Sequence, residues 1–521
     1  GNIVATLASE CVPSTSADDK EEPHSRQMSP EASAKARDHM LEVLFERMRD
    51  VNAYTRSKTL QTWSKLVQLR CIPLNKISAL VEAAVSRLND KSAFVRRSAA
   101  QLLNAMLQFN PYGPNLQLDN FKEMLNEWRT KLQGEGEEEM EGASSSSPAK
   151  ASTAAVSSEE LSGSGETAVE EEFASSAMET DFGDMDPTDK DTMQEVIKVV
   201  TYHTQAIFFI SQMERAVPTV CQLLGSKTVS DVQEAMQLVI TMNQFHISKA
   251  DMATRKMLTL IWSKEQGIKT ALIDAFHRLY TACEDTHPGD MGIELIRLCQ
   301  GASVSDITCM EETLCELMKE GKIHGKLIAN LWRIFNNEGD SFPDQYSDMA
   351  LVLLSMFSRQ RPHLVANKLS LLLEDGLGEK AKGNTTRLRF TFTCLRRLAT
   401  IQDKEGQPVR FSHNHLVCER IRTLCLDLSW CPSGSWVTLC DEMVAAGYEI
   451  LSTPDLLFDE ILASLTQLVS PVESPDVPQE ERSTFLGRLV FLVGQVAMKK
   501  MVAMDAQHQR DKEELSKKMD G

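Results

Sequence analysis

Histidine and cysteine side chains, which could ligate a metal ion, come closest together in sequence at His413, His415 and Cys418, with Cys425 and Cys431 further on. Structural zinc sites usually draw their ligands from closely spaced pairs at both ends of the motif. Here the second pair is missing. Cys418 and Cys425 lie seven residues apart, which places both on one apolar face of a predicted helix. The sequence therefore predicts buried cysteines and no metal site.

A phosphate-binding loop is suggested only superficially by GKIHGKL, from Gly321 to Leu327. It has three spacer residues where a P-loop has about four, carries Leu327 where a hydroxyl must reach magnesium, and follows a predicted helix instead of a strand. Gly376 and Gly378 also follow a helix and are interpreted as the loop after its C-terminus. Hydrolase, zinc-protease and kinase motifs are absent from the sequence. We predict that the protein is not an enzyme and uses no cofactor.

Basic side chains are the remaining set that could bind a partner, because they can contact phosphates. Most lie at predicted helix starts or along one helix face, where solvent exposure is the ordinary outcome. Several on one edge of a repeat stack would instead form a stripe able to follow a DNA backbone. The candidates are Arg56, Lys58, Arg96, Arg97, Lys322, Lys326, Arg333, Arg387, Arg389, Arg396 and Arg397.

Two of these arginines belong to an internal repeat with an offset of 40 residues. When DVNAYTRSKTL (50–60) is aligned with DKSAFVRRSAA (90–100), Asp50 meets Asp90 and Arg56 meets Arg96. An Asp before a helix can cap free N–H groups, and an Arg one turn later can bridge to an Asp of the neighbouring repeat. We expect these four residues to form a structural polar ladder between repeats. Phosphate contact by the two arginines is the alternative.

The pattern D-x4-(V/T)-R resembles the HEAT repeat, a two-helix unit of about 40 residues. Such units bury their apolar faces only against their neighbours, so they stack into a solenoid with an extended binding surface. Strand patterns are nearly absent. We predict an all-α HEAT-repeat α-solenoid of stacked antiparallel helix pairs with a long disordered acidic insertion. Helical periodicity predicts, among others, helices over 193–212, 213–224, 361–374, 413–429 and 481–505.

The predicted domain organisation follows changes in composition along the 521 residues. Residues 134–191 carry 17 acidic side chains against two lysines and few large apolar residues, so they cannot bury enough surface to offset chain entropy. We predict that they form a disordered linker. The other predicted segments are 1–36 (the end of a truncated helix plus a flexible loop), 37–133 and 192–505 (HEAT-repeat blocks), and 506–521 (a charged tail).

The charge balance limits the kinds of partner. The chain has a net charge of -19, of which the segment 134–191 contributes -15, leaving -4 over the rest. A free-standing basic DNA-binding domain is therefore excluded, but a nearly neutral stack with local basic clusters can share DNA with other subunits. We also hypothesise that the acidic segment covers a basic surface of the same chain. No apolar stretch reaches the ~20 residues that span a bilayer.

Twelve cysteines are scattered without a CxxC pair, mostly in apolar helical runs, which indicates reduced thiols and a cytosolic or nuclear protein. Serines and threonines before proline, and one serine before acidic residues, are candidate phosphorylation sites. Those in loops are favoured, because added charge there disturbs no packing. The candidates are Ser29, Ser147, Ser158, Thr453, Ser470 and Ser474.

A closer resemblance is carried by DVNAYTRSKTLQTWSKLVQLRCIPL (50–74) and LNDKSAFVRRSAAQLLNAMLQFNPYG (88–113), with support from MLTLIWSKEQGIKTALIDAFHRLY (257–280) and RLVFLVGQVAMKKMV (488–502). These stretches resemble the condensin complex subunit 1 family, the D-type HEAT-repeat subunits of condensin I. Family members are much longer, so the chain looks like a central fragment. The resemblance implies a non-catalytic scaffold that binds the kleisin subunit and takes part in mitotic chromosome condensation.

The resemblance further implies contacts with SMC ATPase subunits and with double-stranded DNA or chromatin, in a hetero-oligomeric complex without a membrane. It implies a location in the nucleus and on chromosomes in mitosis, and in the cytoplasm in interphase. The residues alone leave two alternatives open, a HEAT or armadillo transport receptor and a phosphatase regulatory scaffold, each binding protein partners only. The Asp–Arg ladder fits all three, so only the closer resemblance separates them.

Overall fold

The computed structural model describes residues 30–138, 187–282, 292–337, 342–402, 410–431, 433–472 and 474–520. These residues form twenty α-helices and no β-strand, with one isolated bridge between Phe411 and Leu451. The predicted all-α fold class is therefore confirmed. The greater part of the predicted acidic insertion, residues 139–186, lies outside the described residues, as do residues 1–29.

The chain divides into two compact units, Gly1–Ala275 and Phe276–Gly521. The predicted linker, residues 134–191, lies within the sequence range of the first unit, and the predicted division into segments stays a prediction. The helices of the first unit are α1 (Pro30–Arg47), α2 (Ala53–Gln68), α3 (Leu74–Arg87), α4 (Ala93–Gln108), α5 (Leu118–Glu138), α6 (Pro187–Leu224), α7 (Val229–Gln244), α8 (Ala250–Leu258) and α9 (Gln266–Phe276), whose last residue opens the second unit.

The helices of the second unit are α10 (Ile293–Cys299), α11 (Val304–Lys319), α12 (Gly325–Asn336), α13 (Asp344–Gln360), α14 (His363–Ala366), α15 (Leu369–Leu377), α16 (Thr385–Leu398), α17 (Leu416–Leu426), α18 (Ser433–Ile450), α19 (Pro454–Val469) and α20 (Gln479–Asp520). Short 3₁₀ turns cover Thr259–Trp262 and Glu379–Ala381, and a π turn covers His277–Thr281.

Helices of the first unit pack in two layers, as stacked helix pairs require. In one layer α2, α4 and α7 lie side by side in that order, and in the other α3 packs against α6. The pairs α3 with α4 and α6 with α7 join the layers, while α5 packs on α6. The apolar positions that align between the two sequence repeats face this core, since Trp63 and Leu66 in α2 and Leu103 and Met106 in α4 are buried. Each pair hides its apolar face against the next.

Several helix boundaries differ from the predicted ones. The predicted helices 193–212 and 213–224 are one continuous helix, α6, with Pro218 inside it. A proline in a helix removes one hydrogen bond, but buried Val217 and Val220 hold this stretch against its neighbours. The predicted helix 361–374 is divided into α14 and α15, and α20 extends beyond 505 to Asp520.

In the second unit, α13, α16, α18 and α20 pack side by side, with α12 against α13 and α19 against α20. Gly376, in the last turn of α15, lies so close to Thr391 of α16 that any Cβ would overlap the threonine side chain. Nine of the ten described cysteines are buried. None of the described helices combines the length with the apolar character that a membrane crossing requires.

Candidate functional site

Arg56, in the first turn of α2, joins two successive repeats of the first unit. Its Nε and Nη2 donate to the two carboxylate oxygens of Asp90 at 2.9 and 2.7 Å. Its Nη1 donates to the backbone carbonyls of Asp50 and Val51 at 2.8 and 2.9 Å. The flat guanidinium fork therefore ties the loop before α2 to the loop before α4, in the bidentate geometry that arginine and a carboxylate favour.

Arg96 repeats this arrangement one helix pair further along. Its Nη1 donates to the carbonyls of Asp90 and Lys91 at 2.9 and 3.1 Å. Its Nε and Nη2 donate to Oδ2 of Asp231 at 3.2 and 2.5 Å. The carboxylate of Asp231, in the first turn of α7, is completely buried. The structure thus brings Arg56 to Asp90, and Arg96 to a residue that the sequence analysis did not name.

The loops before these helices share a turn in which a side-chain oxygen accepts from the backbone two residues on. Asp50 accepts from the N–H of Asn52 at 2.8 Å, and Asp90 accepts from the N–H of Ser92 at 2.9 Å. In the third repeat Ser226 takes this role by accepting from the N–H of Thr228 at 3.1 Å. The turn and the negative charge therefore sit on separate residues there, which is why the D-x4-R pattern did not reveal the third carboxylate.

Hydrogen bonds favour the charged state of the two loop carboxylates. Burial by itself would raise the pKa of Asp90, but hydrogen bonds from Arg56 and from the Ser92 N–H hold its pKa below the ordinary value. The Asn52 N–H and then Arg47 lower the pKa of Asp50. The pair between α2 and α4 is therefore ionised at neutral pH.

The two ladder arginines have few hydrogen-bond donors left for a nucleic acid. The Arg56 side chain is 13 % exposed and that of Arg96 is 20 % exposed, and each guanidinium already makes four hydrogen bonds. Of the two roles considered from the sequence, the geometry favours the structural ladder over phosphate contact.

Several other members of the predicted basic set also pair with carboxylates. Arg387 is buried, and its Nε donates to Asp348 of α13 at 2.8 Å while its Nη2 donates to the Ser347 hydroxyl at 2.9 Å. This rung of the second unit was not predicted either. The others pair as follows: Arg396 with Glu442 and Glu449, Arg397 with Glu311, and Lys322 with Glu320.

Two predicted basic residues instead lie over exposed aromatic rings at the starts of successive helices. The Lys58 ammonium is 5.6 Å from the ring centre of Tyr54, and the Arg97 guanidinium is 5.8 Å from that of Phe94. The rings are 70 % and 67 % exposed, and Tyr54 and Phe94 occupy equivalent positions in the repeat. Within the described residues, no carboxylate pairs with either cation. Cation–π contact thus holds each of the two cations against the ring of its own helix.

The last three members of the basic set lie in the second unit. Lys326 and Arg333 are exposed on α12, and Arg389 is half-exposed on α16 beside the ring of Phe390. The structure therefore does not bring the eleven predicted cations together as one stripe within either unit. Much of the set is instead engaged locally, in ion pairs or over aromatic rings.

The histidines and cysteine considered as metal ligands turn to different partners. His413 Nε2 lies 2.7 Å from Nη2 of Arg422, while the His415 ring stacks on Phe411. Cys418 is buried, and this burial raises the pKa of its thiol. In the part of the chain that the structure describes, no group of three potential ligands is arranged to hold a metal ion.

Three of the candidate phosphorylation sites lie outside the described residues, namely Ser29, Ser147 and Ser158. Thr453 is exposed and precedes the first residue of α19, and Ser470 directly follows the last residue of that helix. The Ser474 carbonyl accepts a hydrogen bond from Arg482 at 2.9 Å. These last three flank α19, where the sequence had predicted connections.

The paired helices and the arginine–carboxylate rungs between successive pairs define a protein of the HEAT-repeat class. No family model matches the chain. Among solved structures, the C-terminal fragment of the cohesin loader SCC2 from Chaetomium thermophilum matches with a TM-score of 0.41 at 12 % identity, covering 89 % of this chain and 31 % of that one. A fit at that level leaves the fold to be judged on the helix pairs themselves.

The curated relatives that the chain is similar to are subunits of condensin complexes. The chain is 25 % identical over 497 residues to the condensin-1 complex subunit CAP-D2 of Arabidopsis thaliana, covering 92 % of this chain and 35 % of that protein. It is 24 % identical over 572 residues to condensin complex subunit 1 of Xenopus laevis, covering 91 % and 42 %. The resemblance to condensin complex subunit 1 is thereby confirmed. The chain spans between 35 % and 42 % of the length of these two relatives.

Proposed function

We propose that the chain is a non-catalytic HEAT-repeat scaffold segment of a condensin complex that acts in mitotic chromosome condensation. The observation that carries the proposal is the similarity to condensin subunit 1 proteins from a plant and an animal over about nine tenths of the chain. The stacked helix pairs support it, because such a stack offers a long surface for an elongated partner.

The finer part of the proposal concerns partners. The scaffold binds the kleisin subunit, with SMC ATPase subunits and double-stranded DNA or chromatin as further contacts in a hetero-oligomeric complex. It resides in the nucleus and on chromosomes in mitosis, and in the cytoplasm in interphase. Each of these roles belongs to a longer protein, since the chain spans less than half of the relatives.

The surface cations support a limited contribution to DNA binding. At least six of the eleven predicted basic residues pair with carboxylates of the described residues, and this pairing neutralises their charge towards phosphate. Lys58 and Arg97 remain as surface cations of the first unit. A contact made by so few cations suits DNA that is shared with other subunits.

The kleisin proposal is tested by co-expressing the chain with the central segment of a condensin kleisin, followed by size-exclusion chromatography. We expect the two chains to co-elute as one complex. The control is the same kleisin segment with its sequence scrambled. A chain that gives a helical circular dichroism spectrum but elutes alone would exclude kleisin binding.

The DNA proposal is tested by measuring duplex affinity at several salt concentrations. Replacing Lys58 and Arg97 together by alanine should reduce the log–log salt slope by about 1.8, because each lost phosphate contact removes about 0.9. Arg396→Ala is the matched control, since that arginine is held by Glu442 and Glu449. A flat slope for the unaltered chain would leave recognition of proteins only.

A further inference from the structure

An apolar pocket of about 230 Å³ opens in the first unit, where α2 and α4 end and α3 begins. Its floor is formed by Leu80, Met106 and Phe209, all buried in the core. Leu74 and Ile77 of α3 line its outer part, and Leu74 is 39 % exposed. The pocket is therefore apolar inside and accessible from the surface.

The volume of the pocket decides what kind of group it can hold. An apolar cavity of about 150 Å³ already accommodates benzene, whereas sites for whole small-molecule ligands usually begin at about 300 Å³. At about 230 Å³ this pocket matches one large side chain, such as phenylalanine or leucine, and is too small for a nucleotide. The polar bases and phosphates of a nucleotide would also not match the apolar floor of the pocket.

A single charged side chain, that of Arg70, stands among the lining residues. Arg70 is exposed, and within the described residues its guanidinium has no ion pair or hydrogen bond. A carboxylate beside the apolar group of a ligand would find an unengaged cation there. Charge complementarity thus points to an acidic neighbour of the bound side chain.

The backbone of Arg70 gives a second, independent observation. It lies in the left-handed region, with φ at 55°, where it ends α2: its N–H donates to the Val67 carbonyl, and the next N–H, that of Cys71, donates to the Leu66 carbonyl. Glycine is the residue that fits this position without strain. The position therefore carries an arginine where glycine would fit with less strain, and the side chain of this arginine belongs to the pocket.

We propose that this pocket binds a short segment of a partner polypeptide, with one large apolar side chain in the pocket and an adjacent carboxylate on Arg70. The proposal stands on the geometry of the first unit and is independent of the identity of the complex. A larger groove of about 540 Å³ lies beside α1 and α3. Two acidic and two basic side chains line it, so it has no preference for an acidic ligand; they are Glu46, Glu82, Arg49 and Arg87.

The proposal is tested with two minimal probes, N-acetyl-phenylalanine, which has a carboxylate, and N-acetyl-phenylalaninamide, which has none. Binding is followed by methyl NMR of the full chain labelled at methionine and isoleucine, with Met106, Ile72 and Ile77 as reporters in the pocket. We expect both probes to shift these signals, and the acid to bind about fivefold more tightly because its carboxylate meets a partly solvated guanidinium.

Arg70→Gly should bring the two probes to the same affinity. The matched control is His246→Gly, since His246 ends α7 with the same left-handed backbone, φ at 58°, but does not line the pocket. His246→Gly should keep the fivefold preference. A second variant, Leu74→Glu, places a carboxylate at the outer part of the pocket and should weaken the acid more than the amide. Equal affinities for both probes in the unaltered chain would overturn the role of Arg70, and unshifted reporter signals at saturating probe would overturn the pocket.

Discussion

Replacing Arg56 by methionine removes four hydrogen bonds at once while keeping most of the side-chain volume. Two of them reach the carboxylate of Asp90, whose side chain is only 5 % exposed, and two reach the carbonyls of the preceding loop. Hydrogen bonds to charged groups contribute about 1.5–3 kcal/mol, and loss of one partner leaves the other poorly solvated. We expect Arg56→Met to lower the free energy of unfolding by about 2.5 kcal/mol and Asp90→Asn to lower it by about 1.5 kcal/mol.

The two changes break the same interaction, so their effects should not add. We expect the double variant to lose about 3 kcal/mol, which is a coupling of about 1 kcal/mol. In a unit of this size, each kcal/mol corresponds to about 2–4 °C in Tm. Arg97→Met is the matched control on α4, because the Arg97 guanidinium lies over an exposed ring, and we expect a change below about 0.5 kcal/mol for it.

The coupling should also depend on pH in a defined direction. The pKa of Asp90 is lowered on folding, so the pair contributes fully above the ordinary carboxyl value of 3.8 and is lost as the pH falls through the lowered value. Urea unfolding of the four proteins at pH 7 and near pH 3 measures this, and hydrogen exchange of the α2 and α4 starts locates it. Additive effects at pH 7, or a coupling that grows in acid, would refute the ladder as a stabilising contact.

Three further tests concern other parts of the structure. Arg488→Met should cost about 2–4 kcal/mol in urea unfolding, because the buried guanidinium satisfies the carbonyls of Leu424, Cys425 and Cys431; a loss below about 0.5 kcal/mol would contradict this role. Gly376→Ala should cost about 1–3 kcal/mol by overlap with Thr391, and Thr391→Ala in the same chain should recover part of it; no recovery would exclude the overlap as the cause. Arg70→Gly and His246→Gly should each raise the unfolding free energy by about 1 kcal/mol by relieving left-handed strain, which unchanged urea midpoints would contradict.

The sequence predicted the fold class and the residues of the first rung for a simple physical reason. Adjacent repeats lie side by side, so a pattern that recurs after 40 residues places Arg56 near Asp90. Sequence spacing carried no such information for Arg96, whose partner Asp231 is 135 positions away and stands within a helix turn, not in the loop before it. The pairing of Arg387 with Asp348 was missed because it reaches back in sequence to α13, which packs beside α16, whereas Arg56 and Arg96 reach forward to Asp90 and Asp231.

The exposed aromatic rings could not be predicted as surface residues from periodicity alone. Tyr54 and Phe94 stand at matching places in the repeat, and a large ring at a repeated position ordinarily indicates core. In the structure both lie in the first turn of a helix, and their rings are largely exposed. Lys58 covers part of the Tyr54 ring four residues before it, and Arg97 covers part of the Phe94 ring three residues before it. Residues with these spacings lie on the same face of a helix.

The ion pair between Arg96 and Asp231 shows how the helices on the two sides of the acidic segment are connected. Because Arg96 of α4 holds Asp231 of α7, the stack continues directly from one side of residues 139–186 to the other, and the flanking helices α5 and α6 pack together. Both chain ends that flank residues 139–186 therefore belong to one unit. The hypothesis that the acidic residues cover a basic surface of the same chain stays a prediction, and Lys58 and Arg97 are cations of this unit on which it can be tested.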